Sequence, residues 1–133
     1  MKTIFASFLL MLAALTGFAQ HDQHEAIAMK NWPELSAFHD IISATYHPAE
    51  EGQLMPLKTR SGELLKDAHA LAHSKIPAAA NHPKVKAAVQ QLLAESTQLD
   101  KAVKAKQSDD KLTAQVGKVH DAFHHIVDLC NKK

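Results

Sequence analysis

The feature that most constrains the fold is a seam near the C-terminus. Leu112, Val116, Val119, Phe123, Ile126 and Cys130 follow one another at intervals of 4, 3, 4, 3 and 4 residues. That spacing holds six side chains on one stripe of an α-helix. A strand cannot present it, because successive strand side chains alternate between faces. A helix with one long apolar stripe must lay it against other elements. Ser108-Asp109-Asp110 supplies its start: serine can cap, and acids suit the positive end of the helix dipole. Gly117 lies within the helix and weakens it by about 1 kcal/mol relative to alanine.

Prolines divide the rest of the chain. Trp32-Pro33 opens a first helix, because proline suits the first helical position. Leu35, Phe38, Ile42 and Thr45 then recur at helical spacing, and Pro48 is predicted to end the helix, giving 33–46. Residues 47–55 hold proline, glycine and two acids and form the longest connection. A second helix starts near Pro56, buries Leu57, Leu64, Leu65, Ala68, Leu71 and Ala72, and is stopped by Pro77. Pro83 opens a third, with Val85, Val89, Leu92, Leu93, Leu99 and Val103 inward. It ends near Lys106, where Lys101, Lys104 and Lys106 suit the negative end of its dipole. No segment alternates as a strand does. The expected fold is all-α: an antiparallel up-down-up-down four-helix bundle, built as a single domain from residues 20–133.

Residues 1–19 read as a cleaved signal peptide. Lys2 is the basic start, Ile4 to Leu15 is apolar apart from Ser7, and Gly17-Phe18-Ala19 fits the small-x-small cleavage rule. The apolar run is too short to span a membrane, so none is expected to hold the chain after cleavage. The expected location is the periplasm or outside the cell. Without Lys2 the chain carries 14 basic and 14 acidic residues. That balance leaves no basic stripe for nucleic acid or an anionic membrane surface. Cys130 is the one cysteine and cannot form an internal disulfide. It is left to be buried, to pair with another chain, as in a homodimer, or to ligate a metal.

All ten histidines follow the signal peptide. His120 and His124 stand four apart, one turn from each other on one face, the spacing with which a helix offers two imidazoles to one metal ion. His69 and His73 repeat it. His120 borders the seam, and His39 borders the apolar face of helix one. Measured from the end shared by helices one and four, His39 lies about 10 Å down and His120 about 16 Å down. Two imidazoles can span that offset toward a shared ion if the two helices are neighbours. His47 joins them if the 47–55 loop folds inward, and Glu50 or Glu51 could follow. A contact between His69 and His124 requires an inward face on both. Asp121, Asp40 and Glu63 are candidate acceptors for ring N–H groups. The candidate metal ligands are therefore His39, His47, His120 and His124, a set that suits zinc, copper or nickel. Each position also has a plainer reading: a solvated pair on an alanine-rich helix, a hydrogen-bonded boundary histidine, or turn chemistry before Pro48.

The size, the signal peptide and the four helices together resemble the periplasmic four-helix bundles of the cytochrome b562 and cytochrome c′ type. Asp121-Ala122-Phe123-His124 resembles the run that carries the late histidine in the b562 type. That resemblance implies a b-type haem held between Met29 and His124. The c′ type attaches haem through Cys-x-x-Cys-His, which this chain lacks. Trp32-Pro33 follows Met29 closely and works against regular helical placement of that ligand.

Three functions follow from these residues. The first is an exported bundle that buffers, carries or senses a transition-metal ion. The second is a haem electron carrier using Met29 and His124. The third is a structural or interaction module without cofactor. No nucleophile elbow, phosphate loop or evident acid–base pair is present, and the sequence does not read as an enzyme.

Overall fold

A computed structural model describes residues 28–132. Residues 1–19, expected to be a signal peptide, and His21 and His24 lie outside the described residues. Four long helices follow one another: α1 (Pro33–Glu50), α2 (Met55–His73), α3 (Pro83–Lys104) and α4 (Asp109–Asn131). A helical turn at 28–30 precedes α1, and a 3-10 turn (Ala78–Ala80) lies between α2 and α3. No strand occurs among the described residues. Each helix packs on the next, and α4 returns to α1. Among the described residues, no helix is long and apolar enough to cross a membrane.

The C-terminal seam is buried as its spacing requires. Leu112, Val116, Val119, Phe123 and Ile126 are all at most 1 % exposed. Cys130 is half-buried, and Val127 and Leu129 widen the stripe at that end. Leu35, Phe38 and Ile42 of α1 meet it, with the Phe38 and Phe123 rings stacked at 6.1 Å. Thr45 is fully buried and donates its hydroxyl to the carbonyls of Ile41 and Ile42.

Helix α1 runs four residues past the predicted end, to Glu50, with Pro48 inside it. Proline lacks an N–H and crowds the carbonyl four residues back, but in a last turn little helix remains to be disrupted. The Pro48 carbonyl still accepts from Glu51 and Gln53, at 3.1 and 2.8 Å. Gly52, at φ 81°, supplies the left-handed residue that turns the chain away. The 47–55 connection therefore shrinks to 51–54, and His47 rides on the helix.

Helix α2 ends at His73 rather than at Pro77. The Ser74 hydroxyl donates to the Leu71 carbonyl at 2.8 Å and accepts from Trp32 Nε1 at 2.7 Å. Trp32, 1 % exposed, thus ties the entry of α1 to the exit of α2. Between α2 and α3, Ser61 donates to the buried Asp100 carboxylate at 3.0 Å, and Lys104 closes on its other oxygen at 2.5 Å. Lys104 is largely exposed, so its pair with Asp100 is screened and worth about 1 kcal/mol, while the Ser61 bond to the buried carboxylate is worth about 1.5–3 kcal/mol. The exposed Lys58–Asp109 pair between α2 and α4 is worth at most about 1 kcal/mol.

Candidate functional site

The seam between α1 and α4 is lined by aromatic and imidazole rings toward one end. On α1, His39, Ser43, Tyr46 and Glu50 recur at steps of four, three and four, with His47 beside Tyr46. His39 packs on the Phe123 ring at 5.4 Å. Tyr46 stacks on His120 at 3.9 Å and 18°, and the His47 ring stands 5.9 Å from His120. As α1 advances from 39 to 47, its partners on α4 step back from 123 to 120.

His120 and His124 are in direct contact. Their rings are 4.3 Å apart and nearly perpendicular, and their Nε2 atoms lie 3.0 Å from each other. At that distance one ring donates and the other accepts. The His120 side chain is 18 % exposed. Burial, reinforced by the neighbouring His124 and His47, pushes its pKa down to about 4, so the ring is neutral near pH 7.

Glu50 is the hub on the α1 side. It accepts from the Tyr46 hydroxyl and pairs with His47 Nδ1 at 3.2 Å. These two bonds, the tyrosine's first, hold the Glu50 carboxyl below its usual range. The same bond to Glu50, with some burial, pushes Tyr46 up to about 12. The chain Tyr46–Glu50–His47 fixes the last turn of α1 and aims an aromatic face at His120.

The four candidate ligands divide unevenly. His47, His120 and His124 form a continuous run of ring contacts, and His47 joins it from the helix rather than from an infolded loop. His39 lies against Phe123, with Nε2 3.3 Å from the Ser43 hydroxyl. Among the described residues, no group of three or more His, Cys, Asp or Glu stands arranged to hold a metal ion. The proposed acceptors are not engaged in that role: Asp121 is 4.0 Å from His120 Nδ1, Asp40 is 3.9 Å from His39 Nδ1, and Glu63 pairs with Arg60. His69 and His73 are exposed on α2, which removes the contact of His69 with His124. His125 is exposed as well.

Met29 and His124 are not brought together. Met29 lies in the turn before Trp32, ten residues and about 15 Å of helical rise from His39, the α1 residue level with Phe123. Trp32, Leu35 and Phe38, at most 1 % exposed, fill the interior over that length. A haem with Met29 and His124 on opposite sides of one iron does not fit these residues.

The sequence alone assigns no site role to Tyr46 or Ser43. Their spacing from His39 was visible, but only the facing of α1 toward α4 gives it meaning. A groove of about 410 Å³ between α3 and α4, lined by Lys101, Lys111 and Lys118 among others, contains none of the histidines. No family model, curated protein or solved structure matches this chain.

Proposed function

We propose that this chain is an exported up-down-up-down four-helix protein that binds a transition-metal ion at the α1–α4 seam. His120 and His124 are the two fixed ligands. The observation that carries this reading is the 3.0 Å between their Nε2 atoms. With metal–nitrogen bonds of about 2.0–2.1 Å, that separation corresponds to an angle of about 95° at the metal. Such an angle is the cis angle of a square-planar or octahedral ion and favours copper(II) or nickel(II). A tetrahedral zinc ion asks for about 3.3 Å, a small further opening.

Binding shifts the shared proton, by way of solvent, from Nε2 to Nδ1 of the ring that donates it, and the metal takes its place between the two Nε2 atoms. Both rings then carry their proton on Nδ1 and present the Nε2 lone pair. The low basicity of His120 removes protons as competitors for that nitrogen near neutral pH. His47, held by Glu50, is the nearest third donor and needs a side-chain rotation to reach the ion. Two fixed nitrogens and one adjustable one leave open positions, which suits exchange, as in buffering or carriage.

The test is titration of tag-free protein with copper(II), nickel(II) and zinc, beside His120→Ala and His124→Ala. Each variant should lose at least about tenfold in affinity, since losing even an outer partner of a ligand costs that much. Helical circular dichroism should be retained. Unchanged binding in His120→Ala would sink the assignment. A second reading, a cofactor-free interaction module, is favoured by the lack of a standing three-donor group among the described residues. It expects no metal after loading and an unfolding midpoint indifferent to chelator.

A further inference from the structure

We infer that α2 carries a second, weaker metal site formed by His69 and His73, separate from the α1–α4 seam. Both side chains are exposed near the end of α2, four residues apart. Their rings are 6.2 Å apart and 24° from parallel. Two imidazoles bound to one ion at about 2.0–2.1 Å have centroids roughly 4.5–6.4 Å apart, depending on the angle at the metal. At 6.2 Å the pair is more open than the roughly 4.5–5.2 Å of two neighbouring ligands on one ion, and side-chain rotation can close the difference without backbone movement.

A second observation concerns the proton. His73 Nδ1 lies 2.8 Å from the carbonyl oxygen of His69. A carbonyl only accepts, so Nδ1 carries the hydrogen. In the neutral ring the lone pair is therefore on Nε2, the outward nitrogen. Metal-bound histidines characteristically donate the other ring N–H to a carboxylate or carbonyl, which fixes the tautomer and raises ligand basicity. His73 already has that arrangement in the free helix. His69 needs only a side-chain rotation through solvent to bring its own nitrogen to the same ion.

The two pairs share a sequence spacing and differ in environment. His120 and His124 are half-buried and in contact; His69 and His73 are solvated, with Lys66 three residues before His69 on the same side of the helix. Solvation and a neighbouring cation both weaken binding. The class of ligand is a borderline divalent ion, copper(II) above nickel(II) and zinc by the usual order.

Trp32 reports on this site. It is the one tryptophan in the chain, and its Nε1 donates to Ser74, the residue that follows His73. Along α1, Trp32 is seven residues from His39, which is level with Phe123, and fourteen from Tyr46, which is level with His120, so the seam site lies about 10–20 Å of rise away. Copper(II) held by His69 and His73 binds on the turn whose next residue, Ser74, accepts the indole N–H, so it should quench Trp32 emission more strongly than copper at the seam. The experiment is copper(II) titration of tag-free protein followed by Trp32 fluorescence, in the wild type, His73→Ala, His69→Ala and His120→Ala. The wild type should show a saturable quenching phase. His73→Ala and His69→Ala should each weaken it by at least about tenfold, since both are ligands. His120→Ala should leave the affinity of this phase for free copper unchanged, while its onset moves to lower total copper because the tighter seam site no longer fills first, so the outcome does not depend on the seam site. Quenching that persists in both α2 variants overturns the inference, as does the absence of a saturable phase in the wild type.

Discussion

The Tyr46 ring lies face to face with the His120 ring, with 3.9 Å between centroids and 18° between planes. One residue comes from α1 and the other from α4, so the contact joins the two helices across the seam. It covers one face of the imidazole with a hydrocarbon surface and contributes to the burial that keeps His120 neutral. The same tyrosine turns its hydroxyl to Glu50, which holds His47. One side chain thus positions groups on both helices.

Glu50→Gln should return Tyr46 to ordinary behaviour. The carboxylate is the largest cause of the rise to about 12. An amide cannot penalise the phenolate in that way, so the transition should fall toward 10. Tyr46 is the one tyrosine in the chain, so phenolate absorbance reports it directly. Circular dichroism followed alongside shows whether the helices persist through the titration. A transition still near 12 in Glu50→Gln would assign the shift to burial.

Stability of the metal-free protein should fall as the pH is lowered from neutrality. His120 titrates at about 4 when folded and near 6.5 when unfolded. Between those values the unfolded chain binds a proton that the folded one refuses. The contribution is therefore complete above about pH 6.5 and is lost progressively toward pH 4. Allowing for solvent at its exposed edge, the loss is about 1–3 kcal/mol. Urea midpoints in chelator at about pH 7 and about pH 5 measure it. His120→Gln, which cannot charge, should flatten that slope. An equal slope in wild type and variant would place the acid sensitivity elsewhere.

The seam of α4 was legible because a buried stripe is a local property: Leu112, Val116, Val119, Phe123 and Ile126 carry it in their spacing alone. Helix starts at Pro33 and Pro83 were legible for the same reason. The end of α1 was not, because Pro48 is tolerated through its place in the last turn and through Tyr46–Glu50–His47 contacts that spacing does not announce. Pairing His120 with His124 followed from the four-residue step. Placing His47 beside His120, and His39 against Phe123, depended on how α1 rotates toward α4, which is settled by packing over some eighty residues of separation.

Ser74→Ala should cost about 1–2 kcal/mol. The substitution removes the acceptor of the Trp32 indole N–H at 2.7 Å and the hydroxyl that donates to the Leu71 carbonyl. A buried donor left without a partner costs more than the net value of an ordinary hydrogen bond. Chemical denaturation followed by Trp32 emission reads both the stability and the local environment. A midpoint within about 0.3 kcal/mol of wild type would mean that water replaces the hydroxyl at this position.

Ser96→Ala should stabilise the protein. Ser96 is fully buried on α3, and its Oγ has no hydrogen-bond partner among the described residues. A hydroxyl removed from water without compensation costs roughly 1–3 kcal/mol in protein substitutions. Alanine removes that cost, leaves only a small void, and is the better helix former. The net gain should be about 1 kcal/mol, which for a domain of this size raises the melting temperature by several degrees. Calorimetry of the two proteins in chelator measures it. A lower melting temperature for Ser96→Ala would show that the hydroxyl is hydrogen-bonded in solution, for instance to the carbonyl one turn back on its own helix.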